Sequence, residues 1–255
     1  MASVPASQLP LFYNSIAPLS TELHPGYGLA MQDSVGFTAG AHAIPLTVDE
    51  FGVAQRSFTI VFGLGDSPAP LALLSLVDGI NLYVDADGKW EEGAYLPAFV
   101  RRYPFMLAKL GPDAPDLSLC FDDTAGLVTP DAEDKLFDGD QPSATTQRIL
   151  EFCGQFEQAV ARTRGFMEEL EKLDLLIAGE VTIQQPGGEP AVFRGFRMVD
   201  EKRLQNLRGD QARKMIASGM LGLIYAHLFS LAQMPMLFER QRKAAEASAA
   251  QPALA

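Results

Sequence analysis

The apolar residues of this chain change their period near residue 143, and that change restricts the fold more than any other feature. Upstream, from Pro10 to about Thr124, apolar runs at 58–62, 71–76 and 81–84 are four to six residues long. They are rich in β-branched and aromatic types and end at Pro or Gly, so they read as strands. Downstream, Ile149, Leu150, Phe152, Cys153, Phe156, Val160, Phe166, Met167 and Leu170 recur near helical spacing. That spacing predicts a helix over 144–173, with Ser143 or Thr145 as its N-cap. A strand, turn and strand follow at 181–183, 185–189 and 191–193, then a short helix from Asp200 through Leu207. A longer helix is expected from Asp210 to about Gln233, where Pro235 breaks or restarts it. The expected class is α+β, with a β-rich N-terminal half and C-terminal helices carrying one inserted β-hairpin.

The same pattern suggests a β-rich region at 9–140 and a helical region at 141–240 with the hairpin near 181–197, together one compact domain. The acidic, Pro/Gly-rich stretch 111–141 reads as a long surface connection, with strands added at 117–121 and 127–128. Residues 1–8 and the tail 243–255 are expected to be loose. Asp85-Ala86-Asp87-Gly88 reads as a tight turn in which Gly88 takes positive φ and leads into Lys89-Trp90. A calcium loop is excluded there, because with Gly88 sixth the first and twelfth positions are Tyr83 and Ala94.

Net charge is −12, which argues against binding a nucleic-acid backbone over the whole surface. The distribution is uneven. Residues 1–191 carry 10 Lys/Arg against 27 Asp/Glu, a net of −17, whereas residues 192–243 carry 10 against 4, a net of +6. Either the basic segment neutralises the acidic body, or it offers a docking surface to an acidic partner. Cys120 and Cys153 are too far apart for a metal knuckle and read as buried thiols. With no basic, apolar leader at the start, a cytoplasmic protein is expected, the cell surface being the alternative.

Residues 219–238 contain no Asp, Glu, Lys or Arg and reach the minimum length of a membrane span. His227, Gln233, Pro235, two glycines and a serine dilute that segment, so a buried core helix is expected and no transmembrane span.

Chemical motifs are sparse. The three histidines, His24, His42 and His227, lack metal spacing, so no metal and no cofactor are expected. No nucleophile elbow, P-loop or dinucleotide fingerprint occurs, and 63–66 meets Pro68 and Pro70 in place of a helix. The richest segment is 90–105, with the sole Trp, two Tyr, two Phe and an Arg-Arg pair. Trp, Tyr and Arg are the types that serve both as buried anchors and as binding hot spots. Trp90, Tyr95, Arg101, Arg102 and Tyr103 are therefore binding candidates, joined by His42, Tyr225 and His227. If 101–102 is extended, adjacent arginines face opposite ways, one inward and one outward.

Five segments in order, Leu9-Pro10-Leu11-Phe12-Tyr13, His42-Ala43-Ile44-Pro45-Leu46, Asn81-Leu82-Tyr83-Val84-Asp85, the run from Gly93 to Phe105 and Leu223-Ile224-Tyr225-Ala226-His227-Leu228, resemble the bacterial SapC family over roughly residues 9–240. The resemblance implies association with a bacterial surface layer and a gene neighbourhood of tryptophan-halogenase-like, cupin-like and TonB-dependent receptor proteins. It carries over no catalytic residue. A permease role, attached to some relatives, is at odds with a chain offering at most one span. The leading expectation is an accessory protein binding another protein or peptide through segment 90–105 and the basic C-terminal region, with homo-oligomerisation open. A laterally assembling surface-layer protein and an enzyme or enzyme partner in oxidative tailoring are the alternatives. An enzyme requires His42 or His227 to meet a carboxylate or the arginines in a cleft.

Overall fold

The computed structural model describes residues 9–65, 68–111, 116–183 and 191–250. Its first seven strands are β1 (Ala17–Pro18), β2 (Gly28–Leu29), β3 (Ala43–Pro45), β4 (Thr59–Phe62), β5 (Pro70–Leu73), β6 (Phe105–Ala108) and β7 (Ser118–Phe121). Four two-residue strands follow, β8 (Val128–Thr129), β9 (Asp134–Lys135), β10 (Phe137–Asp138) and β11 (Gln141–Pro142). The hairpin strands are β12 (Leu176–Ile183) and β13 (Ala191–Val199). Helices are α1 (Phe51–Ala54), α2 (Ala98–Arg101), α3 (Ala144–Lys172), α4 (Glu201–Gln205), α5 (Gly209–Ala217), α6 (Met220–Ser230) and α7 (Met234–Ala250). The class is α+β, as the change of period requires.

The central sheet has the order β12-β13-β4-β5-β3, all antiparallel. Every residue of β4 is buried, as a middle strand covered on both faces must be. The C-terminal hairpin joins this N-terminal sheet through the pairing of Arg197 with Phe62. The main core draws on both halves, from Ile44, Phe51 and Phe62 to Phe166, Leu170, Ile224, Met234 and Leu237. Phe105, Leu119, Phe121, Leu136 and Cys153 form a second, smaller core where β6 and β7 meet α3. α3 starts where Ser143 accepts the Thr146 N–H, and α4 where Asp200 accepts the N–H groups of Lys202 and Arg203.

Three expectations are corrected and one is met. Residues 81–84 form no strand: a lone bridge joins Val84 to Trp90, and the Asn81 side chain holds the Tyr83 N–H in a turn. The helix expected from Asp210 to Gln233 is two, because Gly219 at φ +77° turns the chain between α5 and α6. Pro235 marks the restart expected of it: it sits in the first turn of α7, where a missing N–H goes unneeded, and α7 runs on to Ala250. The hairpin is also longer than its apolar runs, because polar residues such as Glu180, Arg194 and Arg197 face outward along it. Residues 1–8, Asp66 and the 185–189 turn lie outside the described residues.

Candidate functional site

Segment 90–105 is anchored by Glu50, a buried carboxylate. Its Oε2 accepts the Thr47 N–H and hydroxyl, both at 2.8 Å. Its Oε1 accepts the Ala98 N–H at 2.7 Å and the Tyr95 hydroxyl at 3.1 Å. Four donors satisfy a charge that would otherwise be costly to bury. Arg101 is outside this knot. It donates to the Tyr95 hydroxyl and the Leu96 carbonyl, both at 3.1 Å, and lies 5.2 Å over the Phe152 ring. Trp90 donates to the Tyr95 carbonyl and stacks on Tyr83, whose other neighbour is the Arg240 guanidinium at 4.7 Å. Burial pushes the Tyr83 phenol up to about 12, and burial followed by the Glu50 charge raises Tyr95.

Arg102 and Tyr103 turn inward. The Arg102 guanidinium lies 4.4 Å from the centroids of both Phe99 and Phe156. Tyr103 stacks on Phe37 at 4.3 Å and donates to Asp122, a buried carboxylate that also accepts the Asn14 N–H and the N–H and hydroxyl of Thr124. Burial, with Asp122 alongside, pushes the Tyr103 phenol up to about 12. Arg101 and Arg102 do separate outward and inward, but at the end of α2, not in a strand. The 100° step of a helix separates them, not the pleat.

The remaining candidates are not drawn to this segment. His42 contacts Asp78 at 2.7 Å on an exposed edge of the sheet and lines none of the four cavities of 280–940 Å³. His227 is fully buried: Nδ1 donates to the Ile60 carbonyl at 2.8 Å and Nε2 accepts the Val199 N–H at 3.1 Å. Burial lowers its pKa to about 4, so the ring is a neutral pin between β4, β13 and α6. Neither histidine meets the arginines. Tyr225 packs beside Phe229 on the outer side of α6.

That outer side is the feature the sequence hid. Gly222, Tyr225, Phe229, Ala232 and Met236 follow one another at three- and four-residue steps along α6 and into α7. Phe229 is 67% exposed and Met236 58%. The opposite side, with Ile224, His227, Ser230, Met234 and Leu237, is buried against β4 and the core. The core helix expected over 219–238 is thus a surface helix burying one side only. Because the run is apolar on every side, periodicity could not separate the inner stripe from the outer one. From Met220 to Ala247 it is, by length and composition alone, apolar enough to cross a membrane.

The outer stripe reaches segment 90–105. Gln233, Met236 and Arg240 line a cavity of about 280 Å³ with Tyr83 and residues 91–94. Arg240 grips Glu91 with both terminal guanidinium nitrogens, Nη1 and Nη2. The basic C-terminal segment is largely neutralised in this way. Arg194, Arg197, Arg203 and Arg240 pair with Glu180, Glu171, Asp174 and Glu91 of the acidic body, and Arg208 and Arg242 pair locally. Lys202, Arg213, Lys214 and Lys243 have no ion pair among the described residues.

Both cysteines are free and buried, and burial pushes the Cys153 thiol up to about 11. Among the described residues no group of three or more His, Cys, Asp or Glu is placed to hold a metal ion. Nothing among curated proteins or solved structures matches the chain. The family model for SapC matches residues 19–237, nearly the whole length and all of the elements that build the central sheet and the α6 stripe. The chain belongs to the SapC family.

Proposed function

We propose that this SapC-family protein is an accessory protein that binds another protein through the outer stripe of α6 and α7. The observation that carries this reading is the row Tyr225, Phe229 and Met236 at helical spacing, with Phe229 and Met236 exposed and Tyr225 half-buried beside them. A row of that width suits the apolar face of a partner helix laid alongside it. The stripe runs on from Met236 to Lys243, seven residues later on the same side and without an ion pair, so the partner helix carries acidic residues at that end. Arg240 and Glu91 hold segment 90–105 against the same surface, which makes the two contact regions expected from sequence one continuous patch. His227 and Ser230, hydrogen-bonded to β4 from the inner side, favour a helix docked on its sheet over one in a bilayer. A cytoplasmic protein of one domain, with both halves sharing one core, fits this reading.

The test pairs Phe229→Asp with Met236→Asp in one variant and compares it with the native protein for capture of partners from extracts of the host. A specific partner held by the native protein and lost by a double variant of unchanged melting temperature supports the assignment. Equal capture by both proteins overturns it. So does loss, in the variant, of concentration-dependent self-association or of binding to lipid vesicles, because the stripe then serves a second copy or a membrane surface.

A further inference from the structure

Arg102 has an arrangement that the fold alone does not explain. Its side chain is only 6% exposed, yet no hydrogen bond reaches its guanidinium from the described residues, and Nε is buried without a partner. The nearest carboxylate oxygen, on Glu157, is 3.8 Å away, too far for a hydrogen bond. Phe99 and Phe156, their centroids 6.3 Å apart and their planes at 61°, wall the cation on two adjacent sides and attract it without satisfying its N–H groups. A buried N–H without a partner is destabilising, and replacing a buried charged group by an apolar one is commonly neutral or better for stability.

The guanidinium stands in the wall between two cavities, and their charges differ. On one side, about 700 Å³, Arg102 and Arg164 face Glu157, Glu168 and Glu171. On the other, about 540 Å³, Arg101, Arg102 and Arg148 face Asp134 alone, and Asp134 is already occupied by the Thr145 hydroxyl at 2.6 Å. The second cavity is therefore the cationic one. Its remaining lining is largely apolar, with Leu29, Phe105, Ile149 and Phe152.

We propose that this second cavity is a binding site for an organic carboxylate with an apolar body. The planar fork of Arg102 takes the carboxylate, Arg101 and Arg148 flank it, and the apolar wall takes the rest of the molecule. A carboxylate supplies the acceptors that Arg102 lacks, at a depth where a charge-assisted pair is little screened. The cavity shares no lining residue with the α6–α7 stripe, so the site stands independently of the docking surface.

The experiment uses 3-phenylpropionate, its neutral amide and inorganic phosphate as probes, followed by calorimetry and thermal denaturation of the full chain. The acid is expected to bind saturably and raise the melting temperature, with the amide at least tenfold weaker. Arg102→Met, which lays an apolar side chain against the two rings, is expected to melt no lower than the native protein and to lose the acid at least tenfold. Arg148→Gln, on the rim, weakens the acid several-fold with folding intact. The proposal is overturned if the acid fails to bind at 10 mM, if the amide binds equally, or if phosphate is preferred. It is also overturned if Arg102→Met is strongly destabilised, because the arginine is then structural.

Discussion

Glu50 and Ala98 lie 48 residues apart, and the carboxylate of the first accepts the backbone N–H of the second at 2.7 Å. This one bond fixes where α2 begins, because the Ala98 N–H belongs to the first turn and has no partner inside so short a helix. It therefore also sets where Arg101 and Arg102 point.

Glu50→Ala leaves the Thr47 and Ala98 N–H groups and the Tyr95 hydroxyl without their acceptor. Each lost partner at a buried donor costs about 1–3 kcal/mol, and the two N–H groups are the buried ones, so we expect a total of about 2–6 kcal/mol by chemical denaturation. Glu50→Gln keeps one acceptor oxygen and should lose less. A variant as stable as the native protein would show that water replaces the carboxylate freely.

His227 makes acid stability a direct readout of the α6 seat. Above pH 6.5 the ring is neutral in the folded and the unfolded chain and adds no slope. Between pH 6.5 and about 4 the unfolded chain binds a proton that the folded one resists, so stability falls as pH falls and this contribution levels off below about 4. At 1.36 kcal/mol per unit, the contribution lost is about 3 kcal/mol. His227→Leu should remove that part of the slope while costing about 1–3 kcal/mol at pH 8, because Ile60 and Val199 lose their partners. Denaturation curves of both proteins from pH 4 to 8 check this, and parallel profiles would sink it.

Gly88 is a turn residue with two constraints. Its φ is +76°, and a Cβ there meets Gly36 backbone atoms at 3.1 Å and the Ser34 hydroxyl oxygen at 2.1 Å. The Gly88 carbonyl also accepts the Val35 N–H at 2.7 Å, so the turn cannot retreat without losing that bond. Gly88→Ala is expected to destabilise by about 2–4 kcal/mol, the left-handed backbone contributing about 1–2 of it. Gly93, also at positive φ but with open space around it, should cost only the backbone part. Equal losses at the two positions would show that the contact with Gly36 relaxes freely.

Local physics made much of this fold legible. The turn at 85–88, the Ser143 and Asp200 caps and the length of α3 depend on neighbours within a few residues, and each stands where the sequence places it. Residues 81–84 misled because their apolar side chains serve a turn whose hydrogen bonds come from Asn81 and Ala39, not from a partner strand. The break at Gly219 is written in the sequence, but a glycine in a helical run is often tolerated, so it carries little signal alone.

The candidate surfaces were less legible because they are made by distance. Arg102 is defined by Phe156 on α3, and Arg240 by Glu91, with 149 residues between them. Adjacency in segment 90–105 foretells that its two arginines separate, but not which of them is enclosed. Trp90 and Tyr95 lie together with Arg101, whereas His42 and His227 belong to opposite environments, one wet and one dry. The Phe229 row was visible only as composition.

The pairing of Arg197 with Phe62 also sets a timetable for synthesis. When β4 leaves the ribosome its neighbour β13 is still about 135 residues from being made. At roughly 5–20 residues per second, the wait is about 7–27 s. During it, an apolar strand presents an open edge to every other nascent chain nearby. Helix α6, which seals the same strand with His227 and Ser230, arrives later still. Production of this protein in a cell should therefore follow the supply of chaperones that shield nascent chains, and slower translation should lower its soluble yield.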